Sequence, residues 1–512
     1  SKIMSRRNGG IIGPTNTPVG GLFKGVAGGV WRMNDVLTFV SNNQWPSGPK
    51  SIDNSCRFDD DSSDYLTKTF SSAGNRKTWT WSGWVKRCKL GTQQDLLSVS
   101  SGSSAYHLWY LDANDGVTHN YNGTYVSSAA KFRDTSAWYH FVCAVDTTQS
   151  TAADRVKMYV NGSQITSFDV AGYPSQDADL SINNSVRHDI SNGGAHYSNN
   201  FYFDGYMAEV VFIDGQALDP TSFGEFDTTT GIWKPKKIGA FASAGDNSFY
   251  LDFKDSSTLG NDASGLNNDF TVSGLTSLDQ TTDTCVVNYA TLNSLNVPAS
   301  NQPTFSEGNL TSITSTDGSS KWGGCSSIGV SSGKFYCEAK ATVDSTSRNV
   351  IGITGNATEL ARTNASILNA THSWGYYSSD GAVQGNGGGN ESGYSTSYTT
   401  GDIIGIALDL DNNKLYFSKN GTFLNSGDPT SGSTGTGAVS IIAASSTNDG
   451  AYFFAQTDDT SGSAVSKFEF NFGSPPYSIS SGNSDANGFG NFEYAVPSGY
   501  YALNTTNLNT YG

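Results

Sequence analysis

The sequence predicts an all-β chain, and three observations carry that prediction. Charged residues make up only 15% of the 512 positions while Gly supplies 58. A chain leaning on Gly, Ser, Thr, Asn and Tyr suits short strands joined by many turns. Two long regions, 51–233 and 321–480, alternate large apolar with small polar residues at period two, the spacing of a strand with one buried face. Several of these runs end in Asn-Gly, the strongest short hairpin signal. Sustained heptads and a Gly at every third residue are both missing, which excludes a coiled-coil shaft and collagen. The length allows about three to five units at roughly 100–200 residues each.

Residues 1–50 come first and are unlike the rest. They hold six bases (Lys2, Arg6, Arg7, Lys24, Arg32 and Lys50) and one acid, Asp35. Eight glycines and two prolines between 8 and 30 cannot form a helix or build a core. A disordered tail is one reading. The other is an anchoring arm that orders on a larger assembly, with Arg6 and Arg7 supplying charge and Ile11, Ile12, Leu22, Phe23 and Trp31 laid onto a partner protein. A flexible linker needs none of those large apolar groups.

From 51 to 233 strand follows strand. In Thr78-Trp79-Thr80-Trp81-Ser82-Gly83-Trp84-Val85, period two places Trp79 and Trp81 on one inward face. The run from Trp138 to Val145 repeats the device, and the run from Arg155 to Val160 closes on Asn161-Gly162. Residues 202–213 supply another strand pair, and Asp219-Pro220 reads as an N-cap and first position of a short helix through Phe226. Residues 234–320 are looser and more polar, an irregular connector with a strand or two added to a neighbour. The region 321–480 resumes the alternation, with strands from Gly333, Ile351, Ser373, Gly401, Lys414 and Phe468. In it Trp374, Tyr376 and Tyr377 give one face to a core. Residues 481–512 form a C-terminal extension.

The charge is uneven. The net of −16 divides into +5 on residues 1–50 and −21 on the remainder. An acidic body is repelled by phosphate backbones, so nucleic-acid binding is not expected. No apolar run is long enough to span a bilayer, and no apolar core of signal-peptide length follows the leading basic residues. Cysteines 56, 88, 143, 285, 325 and 337 lack metal-ligand spacing and read as reduced thiols of a protein made in a cytoplasm.

The elements of 51–233 run in the order of a known family: Ser82-Gly83-Trp84-Val85-Lys86, Trp138-Tyr139-His140, Met158-Tyr159-Val160-Asn161-Gly162, then Phe203-Asp204-Gly205-Tyr206-Met207-Ala208-Glu209-Val210 with Gln216-Ala217-Leu218. This set resembles the LamG-type, concanavalin A-like lectin fold, a two-sheet jelly roll. In 321–480, Gly401-Asp402-Ile403-Ile404-Gly405 before Leu408-Asp409, with the strand from Lys414 ending Asn420-Gly421, resembles a SPRY domain, a second β-sandwich used for recognition. The Gly/Pro-rich arm and the ending Pro497-Ser498-Gly499-Tyr500-Tyr501-Ala502-Leu503-Asn504-Thr505 resemble virion structural proteins of marine tailed bacteriophages, of the tail-fibre or lectin-like type. That resemblance implies a non-enzymatic adhesin on the virion surface, tail or capsid, assembled in the host cytoplasm. The implied partners are other virion proteins and a host-surface glycan or receptor, with a homo-oligomer, a trimer first. A capsid decoration or tail scaffold making only protein contacts is the alternative.

A polysaccharide-degrading enzyme is the further alternative, and the residues speak against it. β-Glucanases on this fold place Glu-x-Asp-x-Glu on one strand, and retaining glycosidases hold two carboxylates about 5–5.5 Å apart. The eight glutamates are scattered and open no such motif. Asp177-Ala-Asp179 and Asp409-Leu-Asp411 have the spacing, the second on the run into a hairpin turn. The six histidines show no zinc pairing. No cofactor is expected except calcium, which takes oxygen ligands. Its candidates are Asp59, Asp61 and Asp64 in the densest acidic run, which also holds Asp60; solvated turn acids are the plainer alternative. Sugar binding needs open aromatic faces beside amides or acids. The loop candidates are Tyr121, Asn122 and Tyr125, then His196 and Tyr197, then Tyr394 and Tyr398.

Overall fold

A computed structural model describes residues 52–100, 106–194, 200–316, 321–344, 348–387, 389–391, 394, 396–459 and 464–512. The arm residues Arg6, Arg7, Ile11, Ile12, Leu22, Phe23 and Trp31 lie outside these, as do His196 and Tyr197. The described chain is nearly all-β in class, built as two β-sandwiches.

In the first sandwich one sheet runs in the spatial order Ser163–Gln164, Val156–Val160, Trp138–Asp146, Thr78–Arg87, Gly205–Asp214, Ser55–Phe58 and Gln280–Thr281. The facing sheet runs Phe168–Ala171, Thr124–Ser128, Val117–Tyr121, Tyr106–Leu111, Gln94–Ser100, Arg187–Ile190, Tyr65–Thr69 and Thr271–Ser273. Neighbours are antiparallel, so each strand turns one face to the shared core. Trp79 and Trp81 both point inward, and Trp81 meets Trp109 of the facing sheet at a ring separation of 6.1 Å. Each fully buried side chain of this size contributes about 1.5–3 kcal/mol. Asn161 and Gly162 take φ of +46° and +80°, the left-handed pair that a two-residue hairpin needs. The Asp219 side chain does cap Thr221, at 2.8 Å. The helix it opens is a single 3-10 turn, Pro220–Ser222, and the chain then enters the strand Gly224–Phe226. This corrects the expectation of a helix through Phe226: pairing with Trp233–Pro235 claims those backbone groups.

The second sandwich pairs a sheet of Thr304–Ser306, Thr311–Ile313, Ser466–Asn471, Lys334–Asp344, Ile403–Asp409, Lys414–Lys419 and Thr422–Phe423 with one of Lys321–Cys325, Phe453–Asp458, Asn349–Thr354, Ser373–Tyr377, Val383–Gly385 and Gly389–Glu391. Trp374 and Tyr376 enter the core between these sheets, while Tyr377 turns to a smaller cluster under the helix Ala357–Thr363.

The connector is stitched into both sandwiches. Its strands Phe249–Leu251, Thr271–Ser273 and Gln280–Thr281 extend the first, and Thr304–Ser306 and Thr311–Ile313 extend the second. The C-terminal extension folds back: Tyr501–Ala502 lies parallel to Lys334–Asp344, and Asn504 bridges to Tyr289. Charged side chains pin the joint. Lys86 Nζ, fully buried, donates to Asp283 Oδ2 at 2.8 Å, Asn288 Oδ1 at 2.8 Å and Tyr289 O at 3.0 Å. Arg57, 1% exposed, donates to Leu278 O at 3.1 Å and Pro475 O at 3.3 Å, and pairs with Asp279 and Glu307. Buried Glu338 accepts from the backbone N–H of Glu493 at 2.9 Å and of Tyr494 at 2.8 Å, tying the extension to the second sheet.

Candidate functional site

Two features of the first sandwich carry site chemistry. The first is the acidic turn after Ser55–Phe58. One carboxylate oxygen from each of Asp59, Asp60 and Asp61 falls within 4.8 Å of the others. The turn is closed by its own acids: Asp61 N–H donates to Asp59 Oδ1 at 2.9 Å and Asp59 N–H to Asp64 Oδ2 at 3.0 Å. Glu307 N–H reaches Asp59 Oδ2 at 3.2 Å, which brings the connector to the same turn. Lys89 pairs with Asp60. Asp204, one residue before Gly205–Asp214, is 4% exposed, and its Oδ1 is buried without a hydrogen-bond partner. Burial and then the charges of Asp60 and Asp59 push its carboxyl well above the usual range. Burial likewise raises Asp59, and lifts Asp64 to about 7.

The structure therefore redraws the expected ligand set. Among the described residues Asp59 and Asp61 come together with Asp60, and the buried Asp204 carboxyl lies near enough to feel their charges. Asp64 does not join. Its Oδ2 caps the turn and its Oδ1 lies against Gly274, where an added Cβ would come within 2.2 Å. Sequence reasoning missed Asp204 because a lone Asp in Phe203-Asp204-Gly205 carries no signal; only the fold brings it near the acidic turn. The all-oxygen set of Asp59, Asp60 and Asp61 fits a hard cation such as calcium, with Lys89 already balancing one of the negative charges.

The second feature is the hairpin of Val117–Tyr121 and Thr124–Ser128 at the end of the facing sheet. Asn122, at φ +49°, and Gly123 form its turn, and Asn122 Oδ1 accepts from Tyr106 N–H at 2.8 Å. Tyr125 is 37% exposed, and Val170 is exposed on the neighbouring edge strand. Tyr121 is half-buried, edge-on to His107, its hydroxyl 3.4 Å from Asp179 O. Tyr394 and Tyr398 correct the sequence expectation. They are 6% and 2% exposed and belong to the second core, where their hydroxyls donate to Gly437 O and Asn349 O, so neither ring offers a free face.

The spaced acidic pairs have structural duties. Buried Asp409 pairs with Lys334 at 2.8 Å, and Asp411 accepts from Gly333 N–H. Exposed Asp177 pairs with Lys77.

Residues 60–222 match the family model described as the concanavalin A-like lectin/glucanases superfamily, and residues 321–453 match the SPRY domain model. The first sandwich is thus a laminin G-type, lectin-like domain and the second a SPRY domain. No curated protein matches the chain in sequence. Among solved structures the chain is similar to the SPRY domain of human HERC1, at 17% identity over 31% of this chain and 87% of that one, TM-score 0.24. It is similar to the heptameric SAP-like pentraxin of Limulus polyphemus, at 12% identity over 44% and 96%, TM-score 0.27. The CBM40 of the Ruminococcus gnavus IT-sialidase, bound to α2,3-sialyllactose, aligns at 15% identity over 27% and 83%, TM-score 0.21.

Proposed function

We propose that this chain is a non-enzymatic adhesion protein that binds surface glycans through its lectin-like domain. The observation that carries the reading is the Tyr121–Tyr125 hairpin, an exposed aromatic beside a turn amide on a sandwich of lectin type. An open tyrosine face stacks on the C–H surface of a sugar while neighbouring amides fix its hydroxyls. Calcium belongs to the same reading. Asp59, Asp60 and Asp61 would hold it, and its charge would ease the burial of the nearby Asp204 carboxyl.

The finer reading is a virion fibre or appendage protein, homo-oligomeric and displayed on tail or capsid, with residues 1–50 docked on the particle. Its support is the resemblance of the arm and the chain ending to tailed-bacteriophage structural proteins, together with the basic arm ahead of an acidic body. A second reading, a scaffold making only protein contacts, is favoured by one feature: Phe226 and Ile232 stand exposed together on the hairpin of Gly224–Phe226 and Trp233–Pro235.

Glycan-array and whole-cell binding of the full chain, compared with its affinity for purified capsid or tail, separates the two. The adhesin reading expects saccharide binding that Tyr125→Ala weakens several-fold, and calcium that raises the unfolding temperature of the parent but not of Asp60→Asn/Asp61→Asn. Binding to the particle alone would favour the scaffold. Removing residues 1–50 should leave folded domains that no longer incorporate into particles.

A further inference from the structure

A cleft of about 370 Å³ opens where the first sandwich, the connector and the second sandwich meet. That volume lies within the roughly 300–1,000 Å³ of small-molecule sites. Its walls come from 277–282 on one side and 474–479 on the other. The buried Arg57 guanidinium fastens both, with one nitrogen on Leu278 O and the other on Pro475 O. The cleft is thus framed by a fixed joint, and it is separate from both the acidic turn and the tyrosine hairpin.

Its chemistry is selective. Among the described residues no Asp, Glu, Lys, Arg or His lines it. The polar lining is hydroxyl and amide, and Asn54, Ser256, Ser277, Ser474, Ser478 and Asn491 have side chains that hydrogen-bond to no other described residue. Leu278, Pro475 and Ile479 place apolar surface between these groups. Uncommitted donors and acceptors interleaved with apolar patches match a ligand whose own surface alternates hydroxyls with C–H faces. A carboxylate or sulfate would lose water there and find no cation to pair with.

We propose that this cleft is a binding site for neutral, hydroxyl-rich saccharides, formed jointly by the lectin-like domain, the connector and the SPRY domain. The proposal rests on the glycan-binding reading and gives it a second place and a ligand class. Arg57 acts as a positioning residue, holding the walls at the spacing the ligand meets.

The test is an array of neutral glucose-, galactose- and mannose-terminated oligosaccharides beside sialylated and sulfated counterparts. It is probed with the full chain and with Ser277→Trp/Ser478→Trp, Asn491→Ala and Tyr125→Ala. Ser277, Ser478 and Asn491 are exposed, so these changes leave the unfolding temperature in place. Filling the cleft should lower affinity for the neutral set at least tenfold, and Asn491→Ala several-fold. Hydrogen exchange should slow at 277–282 and 474–479 when the bound neutral oligosaccharide is added. Undiminished neutral binding by both cleft variants, with loss only in Tyr125→Ala, overturns this proposal and leaves the glycan reading intact. Failure of the parent to bind any saccharide overturns both.

Discussion

At Lys86 a charge has been taken fully out of water. Such a group is tolerable only when its partners are in place, and here Asp283, Asn288 and Tyr289 supply three acceptors. Lys86→Met strands the Asp283 carboxylate, so the loss should be about 3–5 kcal/mol, read as a lower denaturant midpoint; Lys86→Met/Asp283→Asn should recover part of it. His140 makes a second residue-level prediction. Trp233 Nε1 donates to its Nδ1 at 3.0 Å, so the proton sits on Nε2, 2.9 Å from Ser82 Oγ. Burial lowers its pKa to about 3. Above the ordinary histidine value neither folded nor unfolded chain takes up a proton here. Below it the unfolded chain does and the native one does not, so the stability due to His140 falls as pH drops toward 3. His140→Gln should therefore be destabilised at pH 7, with the gap to the parent narrowing by about 1.4 kcal/mol per unit below pH 6.5. A gap that stays constant across urea titrations at several pH values refutes the assignment. Residue roles were the least legible part of the sequence. Lys86 reads as the end of a strand motif because its partner Asp283 is 197 positions on. Tyr394 and Tyr398 read as loop aromatics because a polar, Gly-rich neighbourhood hides that they plug a core.

Elements were far more legible, where their signal was local. The strands Thr78–Arg87, Trp138–Asp146 and Ile403–Asp409 declare themselves through alternation, and the Asn161-Gly162 turn through its dipeptide. The short strands Thr271–Ser273 and Gln280–Thr281 do not, since two or three residues are too few to show a period and pair only because a distant edge accepts them. Helix length after Asp219 was misread for a related reason: the cap is local, but the competing strand partner is not. Gly162 tests how such a turn is tied to its surroundings. It combines φ +80° with a Trp233 ring carbon 2.4 Å from where a Cβ would sit, whereas Gly91, at φ +73°, faces open space. Both Gly→Ala variants strain the backbone, but only Gly162→Ala also drives into a packed ring, costing about 1–3 kcal/mol more. Equal losses in thermal unfolding of the two would refute the packing role.

At the scale of the molecule, the connector determines how the chain responds to heat. Its strands complete both sandwiches, and Arg57 and Lys86 cross the joint with buried charge. Calorimetry of residues 51–512 should give one cooperative transition; two resolved transitions would mean that the sandwiches melt independently. The sequence shows two recognition folds and a polar stretch between them, and nothing in its local pattern says that the stretch belongs to both. That information lies in pairings between residues some 200 apart, which only the assembled chain displays.

The buried Arg57 has one more consequence. Its two nitrogens bond opposite sides of the joint, so part of any tug on one sandwich is passed to the other through this guanidinium. In the adhesin proposed above, cargo seated at this elbow would feel each pull as a change in grip.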